Sequence, residues 1–217
     1  VPGIRRRALL DLDAFRRQLS EEPWDARADA FGHGLALLAP IARETGVPEI
    51  VVSDARDAAV ATSAGFAPGQ VRLDRDGAGA STAAYGFSGE PVMTVVGEVI
   101  AVKRVEAGAG VSYGYTYRTP SPRTLALVGL GYADGIPRLA SNRAEVRVGD
   151  VVHPLVGRIA MDQFVLDVGD AEPEPGMDAV LFGASPAPAP FEWAVWTERT
   201  PAALTAGIAA RVLREAR

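Results

Sequence analysis

Short apolar runs separated by polar turns open the chain. Ala8-Leu9-Leu10-Asp11-Leu12 predicts a strand, and Phe15 and Leu19 then share one side of an amphipathic turn or two. Residues 35–44 have helical spacing, but Pro40 lies inside them. Either the helix starts near Pro40 or an irregular turn precedes it. Residues 49–52 predict a strand, and Ser53 suits an N-cap for a helix over 54–64 with Gly65 at C′. Residues 77–86 (GAGASTAAYG) are small and flexible and predict a domain boundary.

From about residue 91 strand patterns take over, at 92–105, 124–130, 144–148, 151–155, 163–168 and 179–182. Glu145 and Arg147 alternate with Ala144, Val146 and Val148, the mark of a half-buried strand. Gly149-Asp150 is a two-residue link suited to a type II′ hairpin into Val151. Residues 184–190 are rich in Pro and Ala and predict a loop. Thr200-Pro201 reads as an N-cap and first helical residue, with Leu204, Ile208 and Val212 following at helical spacing. There is no internal repeat.

Composition narrows the classes. A chain of 217 residues makes one large or two small domains at about 150 residues each. Net charge −5 argues against nucleic acid as a partner. With 48% apolar and 23% charged residues the chain has the make-up of a globular protein. Zero cysteines exclude disulfides, thiolate metal sites and thiol catalysis. No run approaches the roughly 20 apolar residues that span a bilayer, and Asp11 and Asp13 break the stretch behind Arg5–Arg7, so neither a membrane segment nor a signal peptide is expected and the location reads as cytoplasmic. The chain begins with Val1 rather than Met. Only one basic residue is a lysine, Lys103.

Four segments carry candidate chemistry. Tyr113 lies in VSYGYTYRT (111–119), which alone reads as a packed turn with half-buried rings. A tyrosine acting as acid or base needs a neighbour that lowers its pKa of about 10. GLGYADGIPR (129–138) reads as strand and turn, without the Lys and Ser/Thr of a P-loop and without GxGxxG. GRIAMDQ (157–163) reads as a solvated loop. His33, between Gly32 and Gly34, is far in sequence from His153, and no metal site is expected.

These segments, in this order, resemble the alanine racemases, pyridoxal-phosphate enzymes that interconvert L- and D-alanine. VSYGYTYRT, GLGYADGIPR and VGRIAMDQFVLDV (156–168) resemble the family's C-terminal β domain, and residues 204–214 its tail. More faintly, ALLDLDAF (8–15), ARADAFGHG (26–34), TSAGF (62–66) and AAYGFSGEP (83–91) resemble landmarks at the beginning and end of its N-terminal barrel. Such a barrel needs about 250 residues, far more than precede the β domain here. The implied fold class is α+β: a mainly-β C-terminal domain over 89–217 and a short, incomplete α/β remnant of a TIM-type barrel over 1–88.

The resemblance also assigns residues. The family's cofactor lysine stands in a segment like KADAYGHG, and its position here is Arg27. A Schiff base requires a neutral amine, and a guanidinium with pKa above about 12 supplies none. Phe31 stands at the family's tyrosine near the cofactor phosphate. Tyr113 matches the family's catalytic tyrosine, offered from a partner subunit, and Tyr132, Met161 and Asp162 match positions near the substrate or its access route. The implied function is a catalytically degenerate racemase-like protein with no cofactor expected. Its implied partners are a second copy docked through the β domain, a full-length racemase, or a small amino acid. Two alternatives stand beside it: an active pyridoxal-phosphate racemase with Tyr113 as one base, and a small-molecule binding module without chemistry.

Overall fold

The computed structural model describes residues 3–217. The readings that touch Val1 and Pro2, including the start of the 1–88 block, lie outside the described residues. The polypeptide forms two units: residues up to Ala8 with Thr94–Leu213, and Leu9–Met93 with Arg214–Arg217.

The Leu9–Met93 unit is an α/β layer. Strand β1 (Arg6–Leu10), whose first three residues belong to the other unit, begins two residues before the predicted start and stops at Asp11, whose carboxylate accepts the Ala14 N–H at 2.8 Å and caps α1 (Leu12–Gln18). Then come β2 (Trp24–Asp25), the short α2 (Arg27–Phe31), α3 (Leu35–Glu44), β3 (Ile50–Val52), α4 (Ala55–Ser63) and β4 (Val71–Leu73). The three strands β2, β3 and β4 form one parallel sheet in that order, with Trp24 opposite Ile50 and Ile50 opposite Val71.

Two helices differ from expectation. Helix α3 runs unbroken through Pro40. Its buried face of Leu35, Leu38, Ala39, Ile41 and Ala42 outweighs the hydrogen bond that a proline nitrogen cannot make. Helix α4 is capped by Asp54, not Ser53: the Asp54 carboxylate accepts the Asp57 N–H at 2.9 Å, and Gly65 follows at φ +97. The stretch 77–86, read as a domain boundary, lies within the Leu9–Met93 unit. Ser81 pairs with Trp24, and Tyr85 is packed in the core against Phe15, Trp24, Phe31, His33 and Phe87.

The other unit is mainly β. Its strands are β5 (Met93–Val105), β6 (Gly110–Val111), β7 (Tyr117–Arg118), β8 (Arg123–Val128), β9 (Glu145–Val148), β10 (Val151–Val156), β11 (Phe164–Gly169) and β12 (Asp178–Phe182). Six of them run in the order β12-β9-β10-β11-β8-β5, and β12 also pairs with β5, which closes a barrel-like antiparallel sheet. The long β5 serves two ladders, since Val95–Glu98 lies against β12 and Val99–Val105 against β8. Register shifts near Ile100, Val168 and Leu181 let the strands coil enough to close. Alternation turns Thr124, Ala126 and Val128 inward along β8. Gly149-Asp150 links β9 to β10 as a two-residue hairpin, with Val148 opposite Val151.

Past the barrel, α5 (Pro190–Trp196) starts where a loop is predicted, because Pro190 takes the first helical position and the Glu192 carboxylate accepts the Ala189 N–H at 2.7 Å. Helix α6 (Pro201–Ala206) stops at Gly207, well short of the predicted Val212. Ile208 and Val212 are buried after the helix has ended, and β13 (Leu213–Ala216) finishes the chain.

Candidate functional site

In the α/β unit the candidate residues meet at the carboxyl ends of the parallel strands, where open α/β sheets place their ligands. Asp25 ends β2 and is 2% exposed. Arg27, the first residue of α2, follows it two residues later. The Arg27 guanidinium grips the carboxylate bidentately, Nε donating to Oδ1 at 2.8 Å and Nη2 to Oδ2 at 2.7 Å. This hydrogen bonding holds Arg27 above its ordinary pKa against the opposing effect of burial. A third donor, Nη1, bonds the Arg75 carbonyl at 2.5 Å.

The turn after β4 covers this pair. Asp74 accepts the N–H groups of Asp76 and Gly77 at 2.8 and 3.2 Å, which fold the turn back over the sheet end. Those backbone hydrogen bonds hold the Asp74 carboxyl below its usual pKa. Gly77, at φ +68, lies so close that a Cβ there would stand 2.4 Å from the Arg27 guanidinium carbon. The guanidinium also rests 5.9 Å from the Phe31 ring centroid.

Between Arg27 and His33 the backbone is left-handed. Ala28, Asp29, Ala30 and Phe31 have φ of 52, 55, 53 and 48. Each such L-residue costs about 1–2 kcal/mol relative to the right-handed form. The turn is held by Gly32 N–H to Ala28 O and Gly34 N–H to Asp29 O, both 3.0 Å, and by the Asp29 carboxylate accepting the Leu35 N–H at 2.7 Å. Buried His33 bonds the Ala30 carbonyl through Nδ1 at 2.9 Å and packs at a tilt against Tyr85, ring centroids 4.7 Å apart. Burial pushes its pKa down to about 4, so the ring is neutral near pH 7. Phe31 packs edge-on to Tyr85 and Phe87, a hydrocarbon contact in place of a hydroxyl.

In the β unit the loop 157–163 gathers the other candidates. Gly157 N–H bonds Asn142 Oδ1 at 2.6 Å, and the Asn142 amide donates to Thr116 Oγ1 at 3.1 Å. Ser112 Oγ donates to the Arg158 carbonyl at 2.6 Å, which ties the Tyr113 turn to this loop. The same loop holds the Tyr132 turn: Tyr132 N–H bonds Ala160 O, and Ala133 N–H bonds Met161 O, both at 3.0 Å. Gly131 permits the approach, since a Cβ there would stand 2.4 Å from both carbonyl oxygens. Met161 and Asp162 therefore lie in this loop, and Tyr113 and Tyr132 on the turns bonded to it.

The tyrosines of 111–119 are not alike. Tyr113 is 71% exposed and Tyr115 is exposed too, rather than half-buried. Tyr117 is the one turned inward. Its hydroxyl donates to Asp167 Oδ2 at 2.5 Å, and burial, with that carboxylate, pushes its pKa up to about 12.

Two carboxylates escaped the sequence reading. Asp25 ends β2 and its partner Arg27 opens α2, so no strand alternation marks the pair. Asp134, 0% exposed, accepts the Gly131 N–H at 2.7 Å, pairs with Arg211 at 2.6 Å and lies 3.3 Å from Arg6. Arg211 also pairs with Asp162 at 2.6 Å. With partners 77 residues away, nothing local marks Asp134. Among the described residues no group of three His, Cys, Asp or Glu is placed to hold a metal ion. Among them too, no helix is long and apolar enough to cross a membrane.

Comparison with known proteins bears on both units. Residues 92–216 match the family described as alanine racemase, C-terminal domain. The alanine racemase of Streptomyces coelicolor is 56% identical over 97 residues, which are 45% of this chain and 25% of that protein. That of Salinispora arenicola is 54% identical over 98 residues, 45% of this chain and 26% of the relative. The matched stretch thus spans about a quarter of the length of these curated relatives. Among solved structures, alanine racemase from Streptomyces lavendulae superposes with a TM-score of 0.85 at 22% identity, covering 100% of this chain and 98% of that one. The Bartonella henselae alanine racemase, solved with covalently bound pyridoxal phosphate, has a TM-score of 0.83 at 16% identity over 98% of this chain and 99% of its own.

Proposed function

The chain belongs to the alanine racemase family through its C-terminal domain, and from that premise we propose that it is a catalytically degenerate relative whose β domain acts as a dimerisation and binding module. One observation carries this reading. The side chain at the cofactor-lysine position is a guanidinium, with three of its five N–H donors bonded to Asp25 and Arg75. Racemisation removes and returns a Cα proton, and pyridoxal phosphate supplies the electron sink that makes this possible. The residues around Arg27 do not fit covalent attachment of that group, which needs a neutral amine. Phe31 adds no donor to compensate.

The α/β unit is then the remnant of a TIM-type barrel. Its parallel strands follow one another in sequence order, as in a barrel, but three strands fall far short of the eight that close one. On the other side of the chemistry, Tyr113 is exposed in a turn held to the 157–163 loop. It is the residue we assign to meet a partner's site, with Tyr132, Met161 and Asp162 as the group nearest a bound small amino acid. The partner is a second copy or a full-length racemase.

The test is direct. The protein is incubated with pyridoxal phosphate, its absorbance recorded, and D-alanine sought from L-alanine. We expect no covalent adduct and no product. An adduct with turnover would establish the active-racemase alternative, in which Tyr113 is one base. Binding of D- or L-alanine by calorimetry without turnover would support the binding function. Co-elution with a full-length racemase would support the partner.

A further inference from the structure

Arg27 is not the whole of the block. Resting on the reading above, we propose that Asp25 is a second lock on the former cofactor position, so that restoring the amine alone does not restore covalent capture of pyridoxal phosphate. Asp25 is 2% exposed and fixed from both sides: its N–H bonds Ser81 O at 3.0 Å, and its carbonyl accepts the Tyr85 hydroxyl at 2.7 Å. Both carboxylate oxygens face the side chain at position 27.

A lysine there ends at the same number of bonds from the backbone as the arginine guanidinium carbon. Its ammonium would fall between the two Asp25 oxygens. An adjacent carboxylate favours the charged amine. Loss of the proton would also strand a buried carboxylate without its counter-charge, which is strongly unfavourable. The amine would therefore stay protonated and non-nucleophilic. The chemistry at position 27 is set by the residue two places before it, through the bidentate ion pair between the end of β2 and the start of α2.

The protein's composition makes the test clean, because Lys103 is the only lysine. Three proteins are compared: the wild type, Arg27→Lys, and Arg27→Lys with Asp25→Asn. Each is incubated with pyridoxal phosphate, reduced with borohydride, and its peptides are weighed. We expect at least about tenfold more adduct on residue 27 in the double variant than in the single, the effect of about one unit in amine pKa. Equal labelling of the two variants would overturn the proposal. Absence of adduct from both would overturn it as well, because the turn 74–79 would then be the barrier. Turnover of L-alanine to D-alanine by the wild type would instead count against the degenerate reading. Should the double variant not fold, the single one still decides. Acetic anhydride labelling across pH is expected to give residue 27 a midpoint above the ordinary lysine value of about 10.4, and an equal or lower midpoint overturns the lock.

Discussion

His33 and Tyr117 show what burial does to single residues. His33 is 1% exposed, and its pKa is depressed to about 4. In the unfolded chain the ring titrates near its ordinary value of about 6.5. Below that pH the unfolded state takes up a proton that the folded state refuses, so the His33 contribution is complete above about pH 6.5 and is lost as pH falls through about 4. The difference in stability between wild type and His33→Phe, read from urea midpoints, is expected to shift against the wild type by on the order of 3 kcal/mol across that window. A constant difference would show that the ring accepts a proton in place. Tyr117 and Tyr113 make a second contrast. Tyr117→Phe removes a hydrogen bond to a carboxylate, and its melting is expected to show a loss of about 1–3 kcal/mol. Tyr113→Phe, exposed and with no bonded hydroxyl among the described residues, is expected to stay within about 0.5 kcal/mol.

At the scale of elements, the Asp134–Arg211 pair fastens the Tyr132 turn from beneath. Asp134 is fully buried and Arg211 partly exposed, so Asp134→Asn is expected to lower stability by about 3 kcal/mol. Asp162→Asn breaks only the exposed arm of the same arginine and is expected to change stability by less than about 1 kcal/mol. Chemical denaturation of the two variants checks the order, and equal losses would place the fastening elsewhere. The same elements explain what was legible. The barrel strands were readable because half-buried alternation is a local signal, as in Glu145–Val148. Strands β2 and β4 have two and three residues, too few for any period to register. Helix α3 was obscured by Pro40, whose missing bond is offset by packing that a single sequence window does not contain. Helix α6 was overextended because Ile208 and Val212 keep helical spacing while packing from a non-helical tail. The candidate residues were visible only through family likeness, since exposed Tyr113 and Met161 carry no physical mark of their own.

For the whole molecule, Tyr113, Tyr115, Tyr132 and Met161 are four of the large apolar side chains exposed among the described residues, and the four that the proposed dimer would cover. Analytical ultracentrifugation at micromolar concentration is expected to give a mass twice that of the chain. A sedimenting monomer would end the homodimer reading and leave only a different racemase subunit as partner. Asp25 and Arg27 lie in one unit and these exposed residues in the other, so the proposed loss of catalysis and the proposed docking rest on separate parts of the chain.

The double service of β5 has a consequence for biosynthesis. Its first half waits for β12, pairing Glu98 with Asp178, while its second half can zip to β8 as soon as residues 123–128 emerge. Until the ribosome has released about residue 182, the nascent sheet keeps two bare edges, the kind of surface that recruits chaperones or neighbouring chains. A stop codon placed before β12 should therefore yield aggregates rather than a shorter soluble domain.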